Sequence, residues 1–197
     1  MLGLTLGNIV SARLPISCRR HQRISKDYVV CDVKKVPFLD LVKSDFEGVK
    51  GVIISGSPIL VTDVDTSPYL EIIHKAINSK LPILGICFGH QVLGMHFGAE
   101  ASRMKEDRDL QTVEAYEDCI LFNKLPNEVQ MIEDHCETIS IPAGFQLVAS
   151  SDACVNEVMQ HLTLPYFGVQ FHPEVSGNHG AILIENFVEF CLKEDYP

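Results

Sequence analysis

Two short stretches of this 197-residue chain combine residue types that can make and break bonds. The first is Gly85-Ile86-Cys87-Phe88-Gly89-His90-Gln91. It follows an apolar run at 81–84 and precedes the helix-like segment 92–97, so Cys87 falls where a strand turns into a helix. Glycines two positions before and two after free the backbone to bend sharply. The pattern is a nucleophile elbow with sulfur in place of a serine hydroxyl. Backbone N–H groups and the positive dipole end at a helix start favour a thiolate there. The second stretch is Phe167-Gly168-Val169-Gln170-Phe171-His172-Pro173-Glu174. Strand alternation sends Val169 and Phe171 one way and Gln170 and His172 the other. In an extended segment Glu174 then shares the side of His172, and Pro173 discourages a helix at His172. A cysteine nucleophile needs a base, and a carboxylate beside that base holds its tautomer and stabilises imidazolium. Taken singly, the cysteine reads as a small core residue and His-Pro-Glu as a strand-end turn. Taken together, after two separate strand expectations, they read as a catalytic pair.

The elements that must carry them follow from periodicity. An apolar opening strand ends at Gly7-Asn8, and a second strand covers 28–33. A helix starts at Pro37 and runs through Val42, with proline at a tolerated early position. The β-branched run 51–55 is a buried strand ending in the turn Gly56-Ser57-Pro58. Segment 68–80 has helical spacing of Leu70, Ile73, Ala76 and Ile77. Short strands are expected at 111–116, 129–132, 146–149, 157–160 and 167–171, and a closing helix at 179–192. Alternating strands and helices over the first hundred residues imply an α/β fold with a mostly parallel sheet covered by helices on both faces. The second half adds antiparallel strands at one end. No repeat or linker divides the chain, so residues 1–197 read as a single domain.

Composition excludes several classes. A net charge of −10 with no basic patch argues against nucleic acid as a partner. Arg19, Arg20 and Arg23 form the densest basic cluster and read as solvated surface. No continuous apolar run of about 18 residues appears, so no membrane span is expected. The apolar N-terminus lacks a basic leading region and reads as a strand rather than a signal peptide. Seven cysteines at irregular spacing, without a Cys-x-x-Cys, argue against a disulfide framework or a structural zinc site. A reducing cytoplasm follows. Cys18, Cys31, Cys119, Cys136, Cys154 and Cys191 lack the elbow context and read as structural, with Cys136 notable for following His135. His90 and His96 lie six apart, which does not match the i, i+4 spacing of helical metal ligands. His74 and His161 read as surface or packing residues, and Asp63 and Asp65 as solvated loop residues.

The two motifs, with Ser55-Gly56-Ser57-Pro58 as a third landmark, resemble the class I (triad) glutamine amidotransferases over roughly residues 45–192. Within that family the chain is most similar to the stand-alone glutaminase subunit of GMP synthetase, in length and in the run 145–174. The resemblance implies a flavodoxin-like open sheet with the site at its carboxyl edge. It implies Cys87 as nucleophile, His172 as general base and acid, and Glu174 as the orienting carboxylate. Backbone N–H groups of Ser57 and Phe88 would form the oxyanion hole, and Gly56, Gln91, Asp134 and His135 would bind L-glutamine. No metal or organic cofactor is required for that chemistry. Because the chain has no phosphate-binding loop, a synthetase partner would supply ATP and the ammonia acceptor in GMP synthesis. Three departures stand out. Ser57 replaces the family's second turn glycine, which would be strained if that position needs a positive φ. Asp134 replaces a serine before His135. The opening strand matches the family pattern poorly. A γ-glutamyl peptide hydrolase with the same triad, or a catalytically silent regulatory subunit, stays open.

Overall fold

The structure, a computed structural model, describes residues 8–13, 32–41 and 43–192. Arg19, Arg20, Arg23, Cys18, Cys31 and most of the strand expected at 28–33 lie outside the described residues.

Strand β4, Ile83–Ile86, is the axis of the molecule. Its four residues are apolar or glycine and all are buried, as a strand covered on both faces requires. It lies between β3 (Val49–Ile54) and β11 (Tyr166–Val169), parallel to both. Its side chains divide between two cores: Ile83 joins one with Val52, Ile54 and Tyr166, and Leu84 joins the other with Phe167 and Val169. Helix α1 (Ser67–Asn78) and helix α2 (Phe88–His96) close the first core through Ile72, Ile73, Ala76, Val92 and Leu93. Helix α3 (Gly177–Leu192) closes the second through Leu183, Phe187 and Cys191. Helices therefore cover both faces, as expected.

The expectation of a mostly parallel sheet is corrected. The nine-stranded sheet runs β2-β1-β3-β4-β11-β10-β9-β6-β7 and is mixed. Strand β1 (Asn8–Arg13) is antiparallel to both β3 and β2 (Asp32–Pro37). On the far side β6 (Leu110–Ala115), β7 (Glu128–Ile132), β9 (Phe145–Ser150) and β10 (Val158–His161) are all antiparallel. Among the described residues only the pairings of β4 with its two neighbours are parallel. The reason is local: apolar patterning reports burial, whereas direction is set by connections that a run of hydrophobics does not reveal.

Two further expectations change. The helix expected from Pro37 is a single 3-10 turn, Phe38–Asp40, ended by extended backbone at Leu41. A small second sheet pairs β5 (Ala101–Asp107) with β8 (His135–Ile139), neither of which was expected. Strand β5 is mostly polar and exposed, so it carries no apolar alternation to read. Its partner β8 brings residues 133–137 up to the carboxyl end of β4.

Candidate active site

Cys87 follows directly after β4 and caps α2 with φ 49° and ψ −106°, a conformation that side chains rarely adopt. Such backbone costs on the order of 1–3 kcal/mol and persists only where its surroundings hold it. Here its N–H donates to the Val169 carbonyl at 2.8 Å, and its own carbonyl accepts the Gln91 N–H at 3.0 Å. The elbow glycines are needed for close approach. A Cβ at Gly89 would run into the Ile54 carbonyl of β3, and one at Gly85 would run into the backbone of Gly89 and His90. The thiol of Cys87 is thereby presented at the carboxyl edge of the three parallel strands.

His172 reaches that thiol from a different local structure than the sequence suggests. Strand β11 ends at Val169, and His172 precedes a 3-10 turn over Pro173–Val175. The turn, rather than strand alternation, brings Glu174 Oε1 to 2.8 Å from His172 Nδ1. Proline suits the first position of such a turn because its missing N–H is not needed there. The His172 backbone is pinned by its N–H to the Ile132 carbonyl at 2.9 Å and by the Ser176 hydroxyl, which donates to its carbonyl at 2.6 Å. Helix α3 packs so closely on the turn that a Cβ at Gly180 would collide with the Pro173 carbonyl. With Nδ1 turned to the carboxylate, Nε2 is left for the sulfur of Cys87, to which the ring is hydrogen-bonded. Burial alone would lower the imidazole. Hydrogen bonds to Cys87 and Glu174, and then their charges, outweigh it and hold His172 up at about 10. A value that high keeps the His172 ring an imidazolium at neutral pH.

The thiol opens into a cavity of about 390 Å³ whose walls include Ser57, Cys87, Gln91, Asp134, His135 and His172. That volume is in the range of small-molecule pockets. A larger depression of about 520 Å³, by Phe46, Lys75 and Asn78, has no cysteine or histidine on its wall. Gly56 takes no unusual φ, but a Cβ there would stand 2.8 Å from the His172 ring. Ser57 is not among the positive-φ residues, so the serine in the turn is unstrained; its hydroxyl accepts the Ile59 N–H at 3.2 Å. The Phe88 N–H heads α2, where first-turn amides have no partner within the helix. Gln91 Nε2 donates to the Gln170 side-chain oxygen at 3.2 Å and to the Glu137 carbonyl at 3.4 Å.

Asp134 sits on the exposed rim, 3.3 Å from Arg108 Nε, and Arg108 also meets Glu106 at 2.8 Å. His135 is buried in the wall. Its Nδ1 is 2.9 Å from the Glu137 carbonyl and its Nε2 is 3.1 Å from Glu133 Oε2, so both ring nitrogens face protein groups. Sequence reasoning passed over Glu137. Its buried carboxylate accepts the Val61 N–H at 2.8 Å, the Thr62 N–H at 3.0 Å and the Thr62 hydroxyl at 2.5 Å. It thereby ties the segment after the Gly56-Ser57-Pro58 turn to β8. Its place two residues after His135 on an alternating strand was the available signal.

The remaining candidates fall outside the cavity or have structural roles. Burial, then the charge of His135, drives His90 down to about 3, so it is neutral. His96 lies ring to ring with His74 at a 36° tilt and is lowered by burial; His161 packs against Phe97 and Phe145. Asp63 pairs with Arg103 at 2.5 Å, and Asp65 accepts the Ser67 N–H at the start of α1, so neither is simply solvated. Burial pushes Cys119 and Cys154 up to about 12, which makes them inert thiols. Cys136 is half-buried on the cavity wall, 3.6 Å from Arg103 Nη1.

Comparison with known proteins places this geometry in context. The model of the family "Glutamine amidotransferase class-I" matches residues 19–190. The chain is 38% identical over 173 residues to the glutamine-hydrolyzing GMP synthase subunit of Methanocaldococcus jannaschii, covering 85% of this chain and 88% of that one. It is 39% identical over 145 residues to the protein of the same name from Thermococcus kodakarensis, covering 72% and 76%. Among solved structures, a chain described as a GMP synthase subunit from Thermoplasma acidophilum superposes with a TM-score of 0.72 at 32% identity, covering 79% of each chain.

Proposed function

We propose, for a chain that belongs to the class-I glutamine amidotransferase family, that it is the glutaminase subunit of a two-subunit GMP synthetase. The reading rests above all on His172, held between the Cys87 thiol and the Glu174 carboxylate at the mouth of a cavity sized for an amino acid. The Cys87 thiolate attacks the side-chain amide carbon of L-glutamine. Negative charge developing on the amide oxygen is met by the backbone N–H groups of Phe88 and Ser57, each contributing on the order of a hundredfold in rate. The His172 imidazolium gives its proton to the leaving nitrogen, and ammonia departs from a γ-glutamyl thioester on Cys87. His172, now neutral, takes a proton from water, and hydroxide attack on the thioester releases glutamate. Glu174 holds the ring in its tautomer throughout. Gln91, Asp134 and His135 on the cavity wall, with Gly56 beside the His172 ring, receive the amino-acid end of glutamine.

The relatives named as glutamine-hydrolyzing subunits of GMP synthase support an acceptor outside this chain: a partner that binds ATP and XMP and receives the ammonia. Five free cysteines among the described residues fit a reducing cytoplasm. Among the described residues no helix is long and apolar enough to cross a membrane.

Steady-state hydrolysis of glutamine, compared with γ-glutamyl dipeptides, tests the reading. Wild type is expected to release ammonia from glutamine and to form a Cys87 adduct with a glutamine-like electrophile, and Cys87→Ala to do neither. A preference for the dipeptides would replace the amidotransferase reading with a peptidase one. Absence of any Cys87 adduct would leave a purely regulatory role.

A further inference from the structure

Behind the cavity wall lies a second cluster that the thioester chemistry does not use. Glu133, His135 and Glu157 are 1%, 7% and 0% exposed. One donor atom from each lies within 4.8 Å of the other two. They come from three places in the fold: Glu133 follows β7, His135 opens β8, and Glu157 immediately precedes β10.

The donors converge in a way that favours positive charge between them. The His135 Nδ1 faces a carbonyl oxygen, which can only accept, so Nδ1 carries the hydrogen. In the neutral ring Nε2 then presents a lone pair, and what it meets at 3.1 Å is a carboxylate oxygen of Glu133. Apart from a proton shared with Glu157, whose carboxyl is pushed up to about 9 by burial and then by the charge of Glu133, the Glu133 oxygens, His135 Nε2 and Glu157 Oε2 have no hydrogen-bond partner. The other Glu157 oxygen is satisfied by the Ser151 hydroxyl at 2.6 Å, which fixes the side chain with its free oxygen inward. Neither carboxylate is ion-paired with a Lys or Arg of the described residues. Two buried carboxyl groups and an imidazole nitrogen converging in this way must hold positive charge between them, as shared protons or as a metal ion.

We infer that Glu133, His135 and Glu157 form a binding site for a divalent transition-metal ion of the zinc type. An imidazole nitrogen with two carboxylate oxygens is a donor set for such an ion and a poor one for magnesium or calcium, which take oxygen ligands in larger number. Tetrahedral bonds of about 2.0–2.2 Å place donors about 3.3–3.6 Å apart, so donors within 4.8 Å of one another close by up to about an ångström around the ion. The Nδ1–carbonyl hydrogen bond is the outer contact that metal-binding histidines commonly make, and it orients the ring. His135 also lines the Cys87 cavity, which gives an ion its way in. Bound there, the ion takes no part in the thioester steps. It clamps residues 133–137, the wall against which glutamine rests, to the strands on either side.

The test uses the whole chain carrying Cys87→Ala, so that the reactive thiol does not compete for metal. After dialysis against chelator it is titrated with Co²⁺ and then Zn²⁺, followed by absorption and by bound metal per chain. The expected result is one Co²⁺ per chain with d–d bands but no thiolate charge-transfer band, displaced by one Zn²⁺. Glu133→Gln and Glu157→Gln should each weaken uptake by about a hundredfold or more, at least as much as loss of an outer contact costs. No stoichiometric uptake at micromolar metal would overturn the site and leave protons shared among the three groups. A thiolate band, or uptake unchanged in both glutamine variants, would equally overturn it by placing the metal on cysteines. If a glutamine variant does not fold, the Co²⁺ stoichiometry and spectrum of the Cys87→Ala protein decide alone.

Discussion

His172 is where burial and charge pull hardest against each other. Burial lowers its pKa; hydrogen bonds and charge from Cys87 and Glu174 raise it to about 10, above its ordinary 6.5. The folded value exceeds the unfolded one, so the pair's contribution to stability is complete below about 6.5 and is lost as pH rises through about 10. An NMR titration of the His172 ring should show it protonated throughout the neutral range. In Cys87→Ala/Glu174→Gln only burial remains, and the midpoint should fall below 6.5. A wild-type midpoint near 6.5 would remove the imidazolium from the resting site. These three residues were legible in the sequence because each belongs to a short local pattern, the elbow or His-Pro-Glu. Glu137, Glu133 and Glu157 were not, because their roles arise from contacts across the chain: Glu137 reaches back 76 positions to Val61, and Glu133 meets Glu157 only once β7 and β10 are in place.

At the scale of elements, the elbow is a strained join between β4 and α2, and the strain can be measured apart from the chemistry. Both Cys87→Ala and Cys87→Gly remove the thiol. They differ in tolerance of φ 49°. Glycine ordinarily lowers stability relative to alanine by about 0.5–1 kcal/mol. Here the order should invert, with Cys87→Gly more stable than Cys87→Ala by about 1 kcal/mol in denaturant unfolding. Alanine equal to or better than glycine would mean that the elbow is not strained in solution. The strand–helix join was readable because glycine spacing and an apolar run leave few alternatives. The direction of pairing was not. Strand β1 has a partner on each side that runs against it, and nothing in its own six residues distinguishes that from a parallel strand. The polar β5 was invisible for the opposite reason: it pairs with β8 without burying a face.

For the whole molecule, ammonia made at Cys87, the proposed nucleophile, would be useful only if glutamine is turned over when an acceptor is ready. The cavity rim carries exposed Glu106, Arg108 and Asp134 in mutual ion pairs. Exposed pairs of this kind are worth little, about 0–1 kcal/mol, so a docking surface can replace them at small cost. If a synthetase partner bearing ATP and XMP reshapes that rim, glutamine and the loaded partner must favour each other's binding. Coupling between sites commonly spans about 5–150-fold, and the two factors are equal because they close one thermodynamic cycle. The Cys87→Ala chain, expected to hold glutamine without consuming it, lets both be measured by calorimetry. Glutamine affinity should rise by such a factor when the loaded partner is added, and partner affinity by the same factor when glutamine is added. A factor of one in each direction would mean that docking delivers the ammonia without controlling its release, and the partner's control would then have to act on a rate constant rather than on binding.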